Sequence, residues 1–141
     1  MRLLGVKRAY VVHGSGLDEA AVHGTTELAE LKEDGTIERS TLTPADLGAK
    51  RLYSIEEIKG GAPADNALIT EAILAGKGTE AQQAFVAANL ALLLKIGGLA
   101  KSLPEAVELA RRTMASGKGL EVLNAHRAYA ASHTASSQKA A

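Results

Sequence analysis

The segment Ala9-Tyr10-Val11-Val12-His13-Gly14-Ser15-Gly16 sets the architecture. A short apolar run rich in β-formers, bounded by Lys7-Arg8 and by a glycine-containing stretch, predicts a buried strand over 9–12 that feeds a flexible loop. In open α/β sheets such a loop lies at the carboxyl end of a strand, where ligands bind. Upstream, Met1-Arg2-Leu3-Leu4-Gly5 reads as the last turn of a helix closed by a glycine. One turn cannot nucleate alone, so the sequence is expected to begin inside a structural element, cut at its N-terminus.

Downstream, the strand-like runs 27–32 and 36–42 flank Glu33-Asp34-Gly35, and Asp-Gly between two such runs signals a tight hairpin. Thr43-Pro44-Ala45-Asp46 offers a capping residue and a first-turn proline ahead of Gly48, which predicts a short helix. Ser54 and Glu57 form a capping box closed at Gly60-Gly61. From Pro63 the apolar period becomes helical, with Leu68, Ile69, Ala72 and Ile73 on one face and Gly76 as the stop. Thr79 with Gln82 caps the next helix, whose apolar surface of Phe85, Val86, Leu90, Leu93 and Leu94 should be largely buried up to Gly97-Gly98. Ser102 with Glu105 caps a third, carrying Leu103, Ala106, Val107, Ala110 and Met114 inward until Gly117. A fourth spans 120–130. Residues 132–141 are small and polar and are expected to form a disordered tail, which leaves 1–131 as one folded unit. A lone strand cannot form a sheet, so residues 9–12, as a central strand, are expected to take their neighbours from chain outside this sequence. The order of strand, hairpin, short helices and four helices is an α/β or α+β arrangement.

Composition narrows the function. At 141 residues and 46% hydrophobic content the chain has the size of one ordinary domain, and with 3% aromatics its core must be built from Leu, Ile, Val and Ala. Sixteen basic and sixteen acidic residues cancel, so no field draws in nucleic acid or an anionic membrane. The absence of cysteine removes disulfides, thiolate catalysis and cysteine zinc sites and fits a reducing cytoplasm. The longest apolar stretch, 87–96, is interrupted by Asn89 and Lys95 and falls far short of the roughly 20 residues that span a bilayer. A secretory signal needs a basic start followed by an unbroken apolar run, whereas here Lys7 and Arg8 follow only Leu3, Leu4, Gly5 and Val6, and the protein is expected to be cytoplasmic.

Among residues that could carry chemistry, Asp18 and Glu19 stand out: adjacent carboxylates just after the glycine-containing loop. Mg²⁺, which is held by one or two carboxylates together with substrate phosphates, suits such a pair. On the residues alone the pair also reads, and more commonly, as the start of a helix, where acids are favourable against the dipole. Gly14-Ser15-Gly16 lacks the Lys-Ser/Thr of a P-loop and the third glycine of a dinucleotide fingerprint. Ser15 lacks the Gly-x-Ser-x-Gly context of a nucleophile elbow. His13, His23, His126 and His133 show no i, i+4 metal spacing. Asn66 and Asn89, beside apolar residues on helices, are expected to satisfy backbone groups rather than ligands.

Read in order, Val11-Val12-His13-Gly14, Gly16-Leu17-Asp18-Glu19, Leu42-Thr43-Pro44-Ala45-Asp46-Leu47-Gly48, Lys59-Gly60-Gly61, Asn66-Ala67 and Ile73-Leu74-Ala75-Gly76-Lys77-Gly78 resemble the C-terminal stretch of anthranilate phosphoribosyltransferases. The resemblance runs from Arg2 to about Tyr129. It implies part of a nucleoside phosphorylase/phosphoribosyltransferase-type α/β domain, with one core strand, a hairpin and about four C-terminal helices. It implies that Asp18 and Glu19 bind Mg²⁺ accompanying the pyrophosphate of phosphoribosyl pyrophosphate. The implied reaction is displacement of pyrophosphate from the ribose anomeric carbon by the amine of anthranilate, in tryptophan biosynthesis. The family's Gly-Thr-Gly-Gly-Asp donor loop, its anthranilate-binding segments and the N-terminal helices that make its homodimer have no counterpart in this sequence. The chain alone is therefore expected to be inactive. A non-catalytic interaction module, or one half of a split enzyme, is the alternative, and a nucleoside phosphorylase-like relative is disfavoured by the Gly-Leu-Asp-Glu and Lys-Gly-Gly stretches.

Overall fold

The structure, a computed structural model, describes residues 1–138. A single 3-10 turn, Arg2–Leu4, ends at Gly5 in the left-handed region (φ 76°), as its sequence predicts. Strands β1 (Ala9–His13), β2 (Thr26–Leu31) and β3 (Ile37–Leu42) form one antiparallel sheet in the order β1-β2-β3. The predicted hairpin is β2–β3, with Gly35 at φ 82° in its turn. Helices follow as α1 (Ile55–Ile58), α2 (Pro63–Leu74), α3 (Glu80–Ile96), α4 (Leu103–Ala115) and α5 (Lys118–Gln138).

Three expectations change. β1 does not lack a partner within the chain: it pairs with β2 from Ala9↔Leu31 to His13↔Glu27. The loop 14–25 doubles back and delivers β2 antiparallel to β1, so the hairpin and the first strand share a sheet. The stretch 43–48 is a single hydrogen-bonded turn rather than a helix. The Asp46 amide donates to the Thr43 hydroxyl (3.3 Å) as in a helix cap, but Gly48 at φ 80° reverses the chain before a second turn forms. At the other end, α5 runs past the expected limit at Ala130 to Gln138, into the segment expected as a tail. The Tyr129 and His133 rings stack one helical turn apart (centroids 4.0 Å), which supports the added turn. Residues 139–141 of that segment lie outside the described residues.

The sheet lays Tyr10 and Val12 on a core of Ala20, Val22, Leu47, Tyr53, Ala88 and Leu92. A second cluster, with Ala91, Ala106, Val107 and Ala110 at its centre, joins α3 to α4. The buried face of α3 is thus its alanine face, and the bulkier face expected to be buried is only partly covered, with Leu93 66% exposed. Alanines let two helices approach closely, and α3 and α4 share the most extensive helix contact. Gly48 belongs to the same packing: a Cβ there would collide with Val107, and the Arg111 guanidinium donates to the Gly48 carbonyl.

Candidate functional site

The loop after β1 is compact and pinned at many points. Gly14 and Leu17 exchange backbone hydrogen bonds (3.0 and 3.1 Å) across a two-residue reversal. Both central residues have positive φ, Ser15 at 49° and Gly16 at 97°, the geometry that suits a tight antiparallel turn. A side chain at Gly14 would overlap the Glu19 carbonyl and Ala21, and one at Gly24 would strike Ser15. Gly14 thus permits close approach of the backbone to itself, and Gly24 leaves room for the Ser15 side chain.

Beyond the reversal, Ala20, Ala21 and Val22 are fully buried. The Ala21 amide donates to the fully buried Thr26 hydroxyl (2.9 Å), and Tyr53 N–H donates to the Val22 carbonyl (3.1 Å). Ala20 is held on both sides by one side chain: its N–H donates to Asn89 Oδ1 (2.9 Å) and its carbonyl accepts from Asn89 Nδ2 (3.1 Å). The hydroxyl of Ser15 donates to the Thr25 carbonyl (2.9 Å), and the ring Nε2 of His23 lies 3.2 Å from the Ser15 carbonyl. Ser15 therefore acts as a loop tie.

Asp18 and Glu19 occupy the exposed span between the pinned residues Leu17 and Ala20. No helix begins there, so the commoner helix-start explanation for this acidic pair fails. Neither carboxylate takes part in any hydrogen bond or ion pair among the described residues, whereas Glu57, Glu71 and Asp46 are all engaged. Glu19 borders an open cleft of ≈ 410 Å³ together with Leu17, Ile55, Lys59, Gly60 and Phe85. The facing wall is tied like the loop: the Gly61 N–H donates to Asn66 Oδ1 (2.8 Å) and its carbonyl accepts from Asn66 Nδ2 (3.0 Å). Lys59, 3.6 Å from Glu56, is the cation at this rim.

Both asparagines behave as their apolar neighbours predict. Thr26 was not singled out by the sequence; a threonine opening a strand carries no mark of burial. His13 is exposed at the end of β1, His23 is half-buried in the loop, and His126 and His133 are on α5. Among the described residues no three His, Asp or Glu side chains gather as a ready-made metal cage. Two free carboxylates on a rigid loop provide the partial ligand set that suits a hard cation completed by water and substrate phosphate.

Residues 1–120 match the model of the glycosyl transferase family, a/b domain. The chain belongs to that family. Within the glycosyl transferase family it is 53% identical to the anthranilate phosphoribosyltransferase of Tolumonas auensis over 121 residues, covering 86% of this chain and 35% of the relative. The chain thus spans about a third of the length of the curated relatives it matches. Its fold superimposes on the crystal structure of anthranilate phosphoribosyltransferase from Thermus thermophilus with a TM-score of 0.80 at 34% identity, over 91% of this chain and 37% of that one. The enzyme from Saccharomyces cerevisiae, solved in complex with PRPP and Mg, shares the fold at a TM-score of 0.72 and 24% identity, over 83% of this chain and 33% of that one.

Proposed function

We propose that this chain is the portion of an anthranilate phosphoribosyltransferase that presents the Mg²⁺-binding carboxylates, Asp18 and Glu19, to the pyrophosphate of phosphoribosyl pyrophosphate. The observation that carries the reading is the pair itself, exposed, unengaged and held on a loop pinned on both sides, with Glu19 at the border of a cleft. When bound, the cation supplies neutralisation of charge on the pyrophosphate oxygens. The chain's own part is to hold in place the backbone that carries the two carboxylates. In the whole enzyme the anthranilate amine forms a C–N bond at the ribose anomeric carbon, the C–O bond to pyrophosphate breaks, and the amine loses a proton. That enzyme works in tryptophan biosynthesis, in the cytoplasm, as a homodimer built by its N-terminal helices and without nucleic-acid or membrane partners. Similarity to the relatives supports the pathway, and among the described residues no helix is long and apolar enough to cross a membrane.

The test is reconstitution. The chain alone should form no phosphoribosyl anthranilate, because the donor-binding loop that positions the anomeric carbon is not in its sequence. Supplied with the N-terminal two-thirds of the Tolumonas auensis relative, it should form product, and Asp18→Asn with Glu19→Gln should lower that turnover by at least about 100-fold. Product formation unaltered by the double substitution at saturating Mg²⁺ would sink the metal role. A well-folded complex without product would favour the non-catalytic interaction module.

A further inference from the structure

Asn89 lies in the middle of α3, 69 residues from the loop it touches. Its amide makes three hydrogen bonds. Oδ1 accepts from the Ala20 N–H, while Nδ2 donates to the Ala20 carbonyl and to the carbonyl of Phe85 (3.0 Å), one helical turn back. The contact is partly buried, and Ala20 is wholly so. Glu19 is the residue bonded to Ala20, and Glu19 and Phe85 line the same cleft. A primary amide matches the N–H and C=O of one residue, acceptor to donor, and so holds both peptide groups that flank Ala20, which a single hydrogen bond cannot do. Among the described residues no other side chain bonds to Ala20, and the reversal at Gly14–Leu17 holds only the far side of the acidic pair.

We infer that Asn89 is a positioning residue for the metal carboxylates, a tie from the rigid α3 scaffold that sets where Glu19, and through it Asp18, present their oxygens. The inference rests on the proposed metal reading of Asp18 and Glu19. Outer partners of metal ligands are worth roughly 10- to 100-fold in affinity, because an untethered ligand must be ordered each time the ion binds.

The measurement is Mn²⁺ binding to the 141-residue chain in the presence of inorganic pyrophosphate, followed by electron paramagnetic resonance. Urea unfolding and amide exchange at Ala20 are recorded on the same samples. Asn89→Ala removes every bond of the tie. Asn89→Ser keeps a hydroxyl that can return to the Phe85 carbonyl of its own helix but cannot reach Ala20, so it decides the matter if the alanine variant fails to fold. The expected result is faster exchange at Ala20 and a fall in Mn²⁺ affinity of about tenfold or more in samples that remain folded, with binding abolished by Asp18→Asn and Glu19→Gln. Faster exchange and a lower unfolding midpoint with wild-type Mn²⁺ affinity would overturn the positioning role and leave the metal reading intact. Affinity that falls only with the folded fraction would do the same. A wild-type chain that binds Mn²⁺ no better than the Asp18→Asn, Glu19→Gln variant would remove the metal reading and the positioning role together.

Discussion

At the scale of single residues, the loop depends on polar side chains that satisfy its backbone. The Thr26 hydroxyl accepts a hydrogen bond from the buried Ala21 amide. Thr26→Val has nearly the same shape and leaves that N–H unpaired away from water, at a cost of about 1–3 kcal/mol. Thr26→Ser keeps the acceptor and should recover most of it, and urea unfolding of the two variants checks the difference. Beside the cleft, the Arg51 guanidinium grips Glu57 with two hydrogen bonds (2.6 and 3.1 Å). With help from the Ser54 backbone amide, it pulls the Glu57 carboxyl down from its ordinary 4.5 to about 2. A lowered carboxylate pKa stabilises the fold above the unfolded value, and that contribution is lost as pH falls from about 4.5 towards about 2. A carboxyl titration followed by NMR should give a midpoint near 2 for Glu57, and Arg51→Gln should move it back towards 4.5; an unmoved midpoint would show that Arg51 is not the cause.

At the scale of elements, the α3–α4 contact and the helix caps make separable contributions. Ala106 is completely buried between the two helices, opposite the alanine face of α3. Ala106→Leu must push the helices apart or force strained rotamers, which costs about 1–3 kcal/mol. The N-terminus of α3 is a reciprocal capping box: Thr79 accepts from the Gln82 amide (3.2 Å) and Gln82 accepts from the Thr79 amide (3.0 Å). Thr79→Ala removes the side-chain acceptor and should cost about 1 kcal/mol. The two losses should add within about 0.5 kcal/mol, because the cap and the packed middle of the interface share no partner. Thermal unfolding of the two single variants and the double variant measures this, and a strongly non-additive double variant would show that the cap and the interface are coupled. The helices were legible because their signals are local. Ser54, Thr79 and Ser102 each stand three residues ahead of an acid or amide, and Gly76 and Gly117 follow the ends of α2 and α4 in the left-handed region. The faces were less legible, since α3 is apolar nearly all round and apolar identity does not say which side meets a neighbour.

At the scale of the whole molecule, the sheet ends on β1, whose outer edge has no strand against it among the described residues, and Val11 is 55% exposed there. Hydrogen exchange should therefore divide the strand. Amides of β1 that point at β2 should be protected, and alternate ones should exchange quickly. The alanine-packed segments of α3 and α4 should be the slowest of all. Uniform protection through residues 9–13 would mean that the outer edge is covered.

By itself the sequence determined what a few neighbouring residues can decide: the strand at 9–12, the Asp-Gly hairpin, the helix starts and stops, and an acidic pair after a glycine-containing loop. Only the tertiary structure decided which strand β1 joins, that 43–48 stops after one turn, and that Asp18 and Glu19 stand free on a loop rather than opening a helix. The tie from Asn89 to Ala20 and the contact of Arg111 with Gly48 belong to the same class, at 69 and 63 residues' separation. The physical reason is that caps and turns satisfy backbone groups within reach of one or two turns of chain. A buried amide such as that of Ala20 or Ala21 is satisfied by whichever side chain the packing of distant elements brings to it.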